Sequence, residues 1–305
     1  MSRVLLITGA TGKQGGAVVN SLLDSNFTIL GVTRNASSPS ALKLAAKHPK
    51  IKLVQGDLND PTTLFKNARE VIDQSIWGVF SVQVPMGGGQ TPQTEERQGK
   101  DLIDASIAND VKYFVYTSVD RGGEKSSSNP TSIPHFASKH NVEKHLEEKT
   151  AKGEMQWTIL RPTAFLDNLT PDMMGKIFAT TWKASLGDKP LQCIATSDIG
   201  WFSAQAFMKP ELYNRKSISL AGCDLTFAQA NEIFKEKVGK DLPTTFGFVS
   251  SALLWAVKEV GVMFKWFKEE GYGADIADLK KMHPGLLDLG EWLEKESKFE
   301  TKRVE

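Results

Sequence analysis

Short runs of β-branched and aliphatic residues alternate with longer segments whose apolar positions recur at helical spacing through the first half of the chain. The apolar runs are nearly continuous rather than alternating, as expected of parallel strands buried on both faces. They predict strands near Val4–Thr8, Phe27–Arg34, Ile51–Gly56, Trp77–Val82, Tyr113–Ser118 and Trp157–Arg161. Between them, Ala17, Val18 and Leu22, and then Leu64, Ala68, Val71 and Ile72, mark helical faces, the first run beginning at Ala17. An α/β fold follows: a doubly wound parallel sheet with right-handed crossovers.

After Pro162 the alternation becomes irregular. Asp198–Met208 reads as a helix and Lys216–Ala221 as one more strand, so the chain leaves the sheet and returns to it around residues 190–222. Helices then dominate, at Ala228–Val238, Ser250–Lys268 and Leu287–Lys295. The expected organisation is a doubly wound α/β domain over residues 1–162 and a smaller, mainly helical domain over 163–305.

Composition narrows the partners. Thirty-seven Lys and Arg against 36 Asp and Glu leave a net charge of +1, which gives no general attraction to nucleic acid. Two cysteines, Cys193 and Cys223, without Cys-x-x-Cys or Cys/His spacing suggest neither a disulfide framework nor a zinc site, and fit a reducing cytoplasm or nucleus. The Val4–Ile7 run is too short for a secretion signal, and Ala252–Phe267 is interrupted by Lys258, Glu259 and Lys265, so no membrane span is expected.

Directly after the first strand stands Gly9-Ala10-Thr11-Gly12-Lys13-Gln14-Gly15-Gly16. A strand, a glycine turn and a helix in this order let the backbone approach a pyrophosphate, whose charge is met by free amides and the positive helix end. The second strand ends in Val32-Thr33-Arg34-Asn35, with no carboxylate for a ribose 2′-hydroxyl. Arg34 instead offers a planar cation for a 2′-phosphate, so NADP(H) is expected over NAD, with Lys13 assisting. Asp57 closes the third strand as an acceptor for an adenine amino group, or as a helix cap, a role that suits Asp60 better.

Two glycine-bearing loops, Pro85–Pro92 and Arg121–Pro134, follow strand ends and are expected to stay unpacked, either as lids or as solvated linkers. Met173, Met174 and the aromatic Phe246–Phe267 segment, with Trp255, Phe264, Trp266 and Phe267, suit a core or domain contact, or else an exposed partner surface.

With these motifs in place, the chain resembles the NmrA-like proteins, an atypical branch of the short-chain dehydrogenase/reductases that includes a human redox-sensing member. The resemblance runs through Gly9–Gly15, Val32–Asn35, Gln55-Gly56-Asp57, Arg97-Gln98-Gly99-Lys100, His135–Lys139 and Arg161-Pro162 with Asn168, and more weakly Glu291-Trp292-Leu293. It implies that Gly9, Thr11, Gly12, Lys13, Gln14 and Gly15 hold a pyrophosphate, that Arg34, Asn35 and Ser37 hold the 2′-phosphate, and that Asp57 and Leu58 meet adenine. It further implies that Val82, Gln83, Arg97, Lys139 and Phe165 to Asn168 line the ribose and nicotinamide. Arg97 stands where the human member has lysine.

Reductases of the wider superfamily use Tyr-x-x-x-Lys, in which tyrosine gives the proton and lysine lowers its pKa. Here His135 lies four residues before Lys139, and the four tyrosines, at 113, 116, 213 and 272, have no lysine at i+4. His135 and Lys139 share one helical face, and an imidazole can give a proton near neutral pH, although a packing role for His135 stands beside that reading. Ser118 either contacts substrate or caps the strand end. His140 and His145 continue the histidine set at a spacing that cannot converge on a metal. Two functions therefore stand open: a redox-responsive regulator that reports NADP(H) state to a protein partner, and an NADPH-dependent oxidoreductase of quinones, dyes or isoflavone-like aromatics. A homodimer is compatible with either.

Overall fold

The computed structural model describes residues 2–84, 89–246 and 258–302. Seven strands form the main sheet in the order β3-β2-β1-β4-β5-β6-β9: β1 (Arg3–Ile7), β2 (Phe27–Thr33), β3 (Ile51–Gln55), β4 (Ile76–Ser81), β5 (Tyr113–Thr117), β6 (Gln156–Pro162) and β9 (Lys216–Leu220). β1 through β6 pair in parallel, so the chain leaves each of these strands at the same edge. Burial explains the unbroken apolar runs: the last four residues of β1 and all five of β5 are inaccessible.

The helices between these strands are α1 (Lys13–Ser21), α2 (Pro39–Ala45), α3 (Pro61–Val71), α4 (Pro92–Ala108) and α5 (Pro134–Lys149). Their starts are written in local chemistry. Asp60 caps α3 and Thr91 caps α4, each followed by proline at the first helical position. One expectation is corrected here: α1 begins at Lys13, not Ala17, because Gly12 serves as its N-cap and the Gly16 amide donates to the Gly12 carbonyl at 2.9 Å. Glycines 15 and 16 are helical because the helix lies so close to β1 that a Cβ on Gly15 would stand 2.3 Å from the Gly9 carbonyl oxygen.

The described chain divides into two compact units. The first comprises residues 1–119, 135–161 and 197–218 and contains most of the main sheet. Its core joins Val4, Leu6, Leu30, Val54, Phe114, Val142, Leu146 and Ile159 from both sheet and helices. It also holds α7 (Thr196–Met208) for nearly all its length, starting two residues before the expected helix, and the short α8 (Pro210–Tyr213).

The second unit comprises residues 120–134, 162–196 and 219–305. It carries α6 (Met173–Leu186), α9 (Phe227–Val238), α10 (Lys258–Glu269), α11 (Ile276–Met282) and α12 (Leu289–Lys295). α9 and α12 start where Thr226 and Asp288 close capping boxes with Gln229 and Glu291, so Leu287 lies outside the helix assigned to it. A small sheet absent from the sequence reading has the order β10-β8-β7, from Cys223–Leu225, Leu191–Ile194 and Ala164–Phe165. These strands are two to four residues long, too short to show periodicity. Phe264, Trp266 and Phe267 are core residues, whereas Met173 and Met174 are exposed; Trp255 lies outside the described residues.

The segment 121–134 is a further correction. It packs, with a 3₁₀ turn at Gly123–Ser127 and with Arg121 and Ser126 fully buried. Asp120, also fully buried, accepts from the amides of Gly122, Gly123 and Gly273, so the glycines allow the chain to wrap a carboxylate rather than to swing free. Of the other loop, residues 85–88 lie outside the described residues.

Candidate functional site

The sheet order reverses between β1 and β4, and in open α/β sheets ligands bind outside the carboxyl ends of the strands at such a point. The edge is held by named contacts. The Thr8 hydroxyl donates to the Val82 carbonyl at 3.1 Å and accepts from the Val82 amide at 2.8 Å, tying the ends of β1 and β4. The Thr117 hydroxyl donates to Gln14 Oε1 at 2.6 Å, tying the end of β5 to the first turn of α1.

Gly9 turns with φ +57°, and a Cβ there would stand 2.7 Å from Val82 Cγ1, so the turn requires glycine on both counts. The Gly12 amide donates to the Gly9 carbonyl at 2.8 Å, closing the turn. No side chain caps α1 and no acidic residue stands in its first turn. Thr11, Gly12 and Lys13 are exposed beside it. Such an end presents free amides and a partial positive charge to an anion, which fits a pyrophosphate.

Arg34 is exposed at the end of β2. The turn after it is set by the Asn35 side chain, whose Oδ1 accepts from the Ser37 amide at 2.9 Å, while Ser38 caps α2. At the end of β3, Asp57 Oδ1 accepts from the Asn59 amide at 2.8 Å, and Leu58 is half-buried against the core. Asp60 takes the cap of α3, where its carboxylate accepts from the Thr63 amide at 3.0 Å. The Thr63 side chain and backbone hold that carboxyl below the ordinary range. Asn59 in turn accepts from Arg97 Nη2 at 2.7 Å and Gln98 Nε2 at 3.0 Å, bringing α4 to the same edge.

After β4, Gln83 is buried, with Nε2 donating to Ser81 Oγ at 2.8 Å and Oε1 lacking a partner among the described residues. Lys139, on α5, is buried and ion-paired to Glu95 Oε1 at 2.8 Å; Glu95 Oε2 accepts from Ser138 Oγ at 2.5 Å. Glu95 is not among the residues expected from the sequence. An acidic residue just inside the Thr91-Pro92 helix start, after a strand, was the available signal.

The remaining candidates have local engagements. Ser118 Oγ donates to Glu143, which also takes Arg161 through contacts of 2.7 and 3.2 Å; this buried group serves the packing of β5, β6 and α5. His135 is buried edge-on against Phe136, with ring centroids 4.8 Å apart, and its carbonyl accepts from Ser138. His145 Nε2 lies 2.8 Å from Asp104. In the second unit, Phe165 lies in β7 opposite Ile194, and Asn168 is exposed at the end of a 3₁₀ turn beside Asp167, which accepts from Thr196. No described helix is long and apolar enough to cross a membrane.

The profile of the NmrA-like family matches residues 1–293. An NmrA-like family domain-containing protein of Dictyostelium discoideum is 24% identical over 293 residues, covering 90% of this chain and 92% of its own. Among solved structures, NmrA, a negative transcriptional regulator in complex with NADP, has a TM-score of 0.72 at 18% identity, covering 97% of this chain and 96% of that one. The NADPH-dependent quinone oxidoreductase QOR2 of Escherichia coli, complexed with NADPH, has a TM-score of 0.70 at 20% identity, covering 95% and 98%. At such identities the structural likeness speaks to the fold.

Proposed function

The chain belongs to the NmrA-like family, and from that premise we propose that it binds NADP(H) at the carboxyl edge of the sheet and acts as a redox-responsive regulator, reporting nucleotide state to a protein partner. The observation that carries this is the uncapped, acid-free start of α1 behind Gly9–Gly15, with the Arg34 guanidinium exposed at the end of the neighbouring strand. The amides of the glycine turn hold the pyrophosphate, with Thr11, Lys13 and Gln14 alongside. Arg34, Asn35 and Ser37 hold the 2′-phosphate, and Asp57 and Leu58 meet the adenine. Val82, Gln83, Arg97 and Lys139 serve the ribose and nicotinamide.

The bound nucleotide would supply a hydride, but the chain offers no Tyr-x-x-x-Lys tyrosine to protonate an alkoxide. The Ser118 hydroxyl is engaged by Glu143 and His135 is packed on Phe136, which supports the regulatory reading. For the nucleotide to act as a signal, its oxidised and reduced forms, or its presence and absence, must change the affinity for the partner.

Titration calorimetry tests the nucleotide step. NADPH should bind more tightly than NADH, and Arg34→Ala should weaken NADPH roughly tenfold or more while leaving NADH nearly unchanged, since hydrogen bonds to charged groups are worth about 1.5–3 kcal/mol. Equal affinities in the wild-type protein would refute the 2′-phosphate assignment. A second reading, NADPH-dependent reduction of quinones or dyes, is favoured by Lys139, kept buried on α5 as a reductase would keep it. Steady consumption of NADPH with any member of a quinone panel would move the balance to that reading.

A further inference from the structure

The ion pair between Lys139 and Glu95 joins the second turn of α5 to the first turn of α4. Both helices start at the edge where the chain leaves β4 and β5. Glu95 is wholly buried, and its two oxygens are divided between the Lys139 ammonium at 2.8 Å and the Ser138 hydroxyl at 2.5 Å. Its neighbour Glu96 is occupied elsewhere, by Lys100 at 2.6 Å and by Asn141. A wholly buried carboxylate is costly unless paired, so the arrangement fixes the lysine head and cancels its charge together.

We propose that Glu95 is a positioning residue for Lys139, and that the neutral pair, rather than a lone lysine, sets how the site distinguishes oxidised from reduced nucleotide. This rests on the reading above that the nicotinamide half of NADP(H) is served by Lys139. Oxidised and reduced nicotinamide differ by one positive charge on the ring. An uncompensated ammonium near that ring would disfavour the oxidised form by simple repulsion, and a carboxylate paired with the ammonium would reduce the bias. The pair therefore keeps the two affinities closer than lysine alone would allow. Cellular redox state is then read through the ratio of the two nucleotides rather than through the reduced form alone.

The test is the ratio of dissociation constants, NADP⁺ over NADPH, measured by calorimetry on the full chain. Glu95→Gln, which retains an acceptor for Ser138, should raise the ratio about five- to tenfold. Lys139→Met, which leaves the carboxylate uncompensated, should lower it. The double variant, neutral again, should return toward the wild-type ratio. Opposite shifts that cancel are not expected of residues that merely hold the fold together, and melting curves of each variant separate the two effects.

Single variants within twofold of the wild-type ratio, or a double variant that fails to return, would overturn the proposal while leaving nucleotide binding intact. Should Glu95→Gln fail to fold, the Lys139→Met shift decides: a lowered ratio supports the inference and an unchanged one overturns it. Wild-type protein that retains neither nucleotide at millimolar concentration overturns the nucleotide reading, and this inference with it.

Discussion

Two glycine-bearing turns of this chain, both following strands of the main sheet, differ in who supplies the anion. At Gly9–Gly15 the turn opens onto an α1 with neither a capping side chain nor an acidic residue in its first turn. At Asp120–Gly123 the amides of Gly122 and Gly123, with φ of +98° and +65°, close on the chain's own Asp120, and Gly273 adds a third donor from far along the sequence. Both are cradles of backbone N–H groups suited to negative charge. One is filled from within and is structural; the other, with no carboxylate of its own in the first turn of α1, is the cradle we propose for the pyrophosphate. Glycine content therefore says little until the donors are accounted for, one by one.

The comparison breaks most severely at Gly15. A Cβ there would lie 2.3 Å from the Gly9 carbonyl oxygen and 2.5 Å from that of Thr8, both immobile backbone. Gly15→Ala must push α1 off β1, with an expected loss of about 3 kcal/mol in stability and of NADPH binding by calorimetry. Retained affinity would show that the turn tolerates displacement and that its close approach is not what holds the nucleotide.

Emptying the other cradle is the next test. Asp120→Ala takes the acceptor from three amides, those of half-buried Gly122, buried Gly123 and exposed Gly273, so a chemical-denaturation midpoint should report a loss of about 2–3 kcal/mol, with NADPH affinity unchanged. A drop in affinity as large as that of Arg34→Ala would erase the distinction between the turns.

The smallest effect sharpens the contrast at a third helix start. Asp60 caps α3, and the hydrogen bonds from Thr63 lower its pKa. Its contribution to stability is thus complete above the ordinary carboxylate pKa and is lost as pH falls through the lowered folded-state value. Asp60→Asn keeps a capping acceptor but removes that dependence, so its melting temperature should fall less steeply than that of wild type between neutral pH and about pH 3. Parallel curves would mean that the charge contributes nothing beyond the cap.

Much of the first unit was legible because its signals are local. β1 to β6 were found within a residue or two at either end, since each is a short buried apolar run, and Asp60 was placed as a cap from the Asn59-Asp60-Pro61 context. The place of the glycine turn and of Arg34 at the end of β2 follows from the consecutive order of strand, turn and helix. The start of α1 was misplaced because Gly15 and Gly16 have poor helix propensity, which close packing on β1 overrides. The Thr91-Pro92 start marks Glu95 as a first-turn acid, but nothing adjacent to it in sequence announces Lys139, 44 positions later. Residues 121–134 were expected to stay open because glycine and serine cannot form a core, whereas here they enclose a carboxylate and a guanidinium that are themselves buried.

The sequence alone determined the alternation of strands and helices, the strand-turn-helix that opens the chain and the charge that ends β2, because hydrophobic period and backbone permissiveness act between near neighbours. Tertiary structure decided that Lys139 meets Glu95 and that Asp120 meets Gly273 across 153 positions. It also fixed the short β7, β8 and β10 sheet, with Cys193 opposite Cys223. The physical reason is that a buried charge or an unpaired amide must find its partner wherever the fold brings one, and that address is held by the packing of the whole unit rather than by any local stretch of chain.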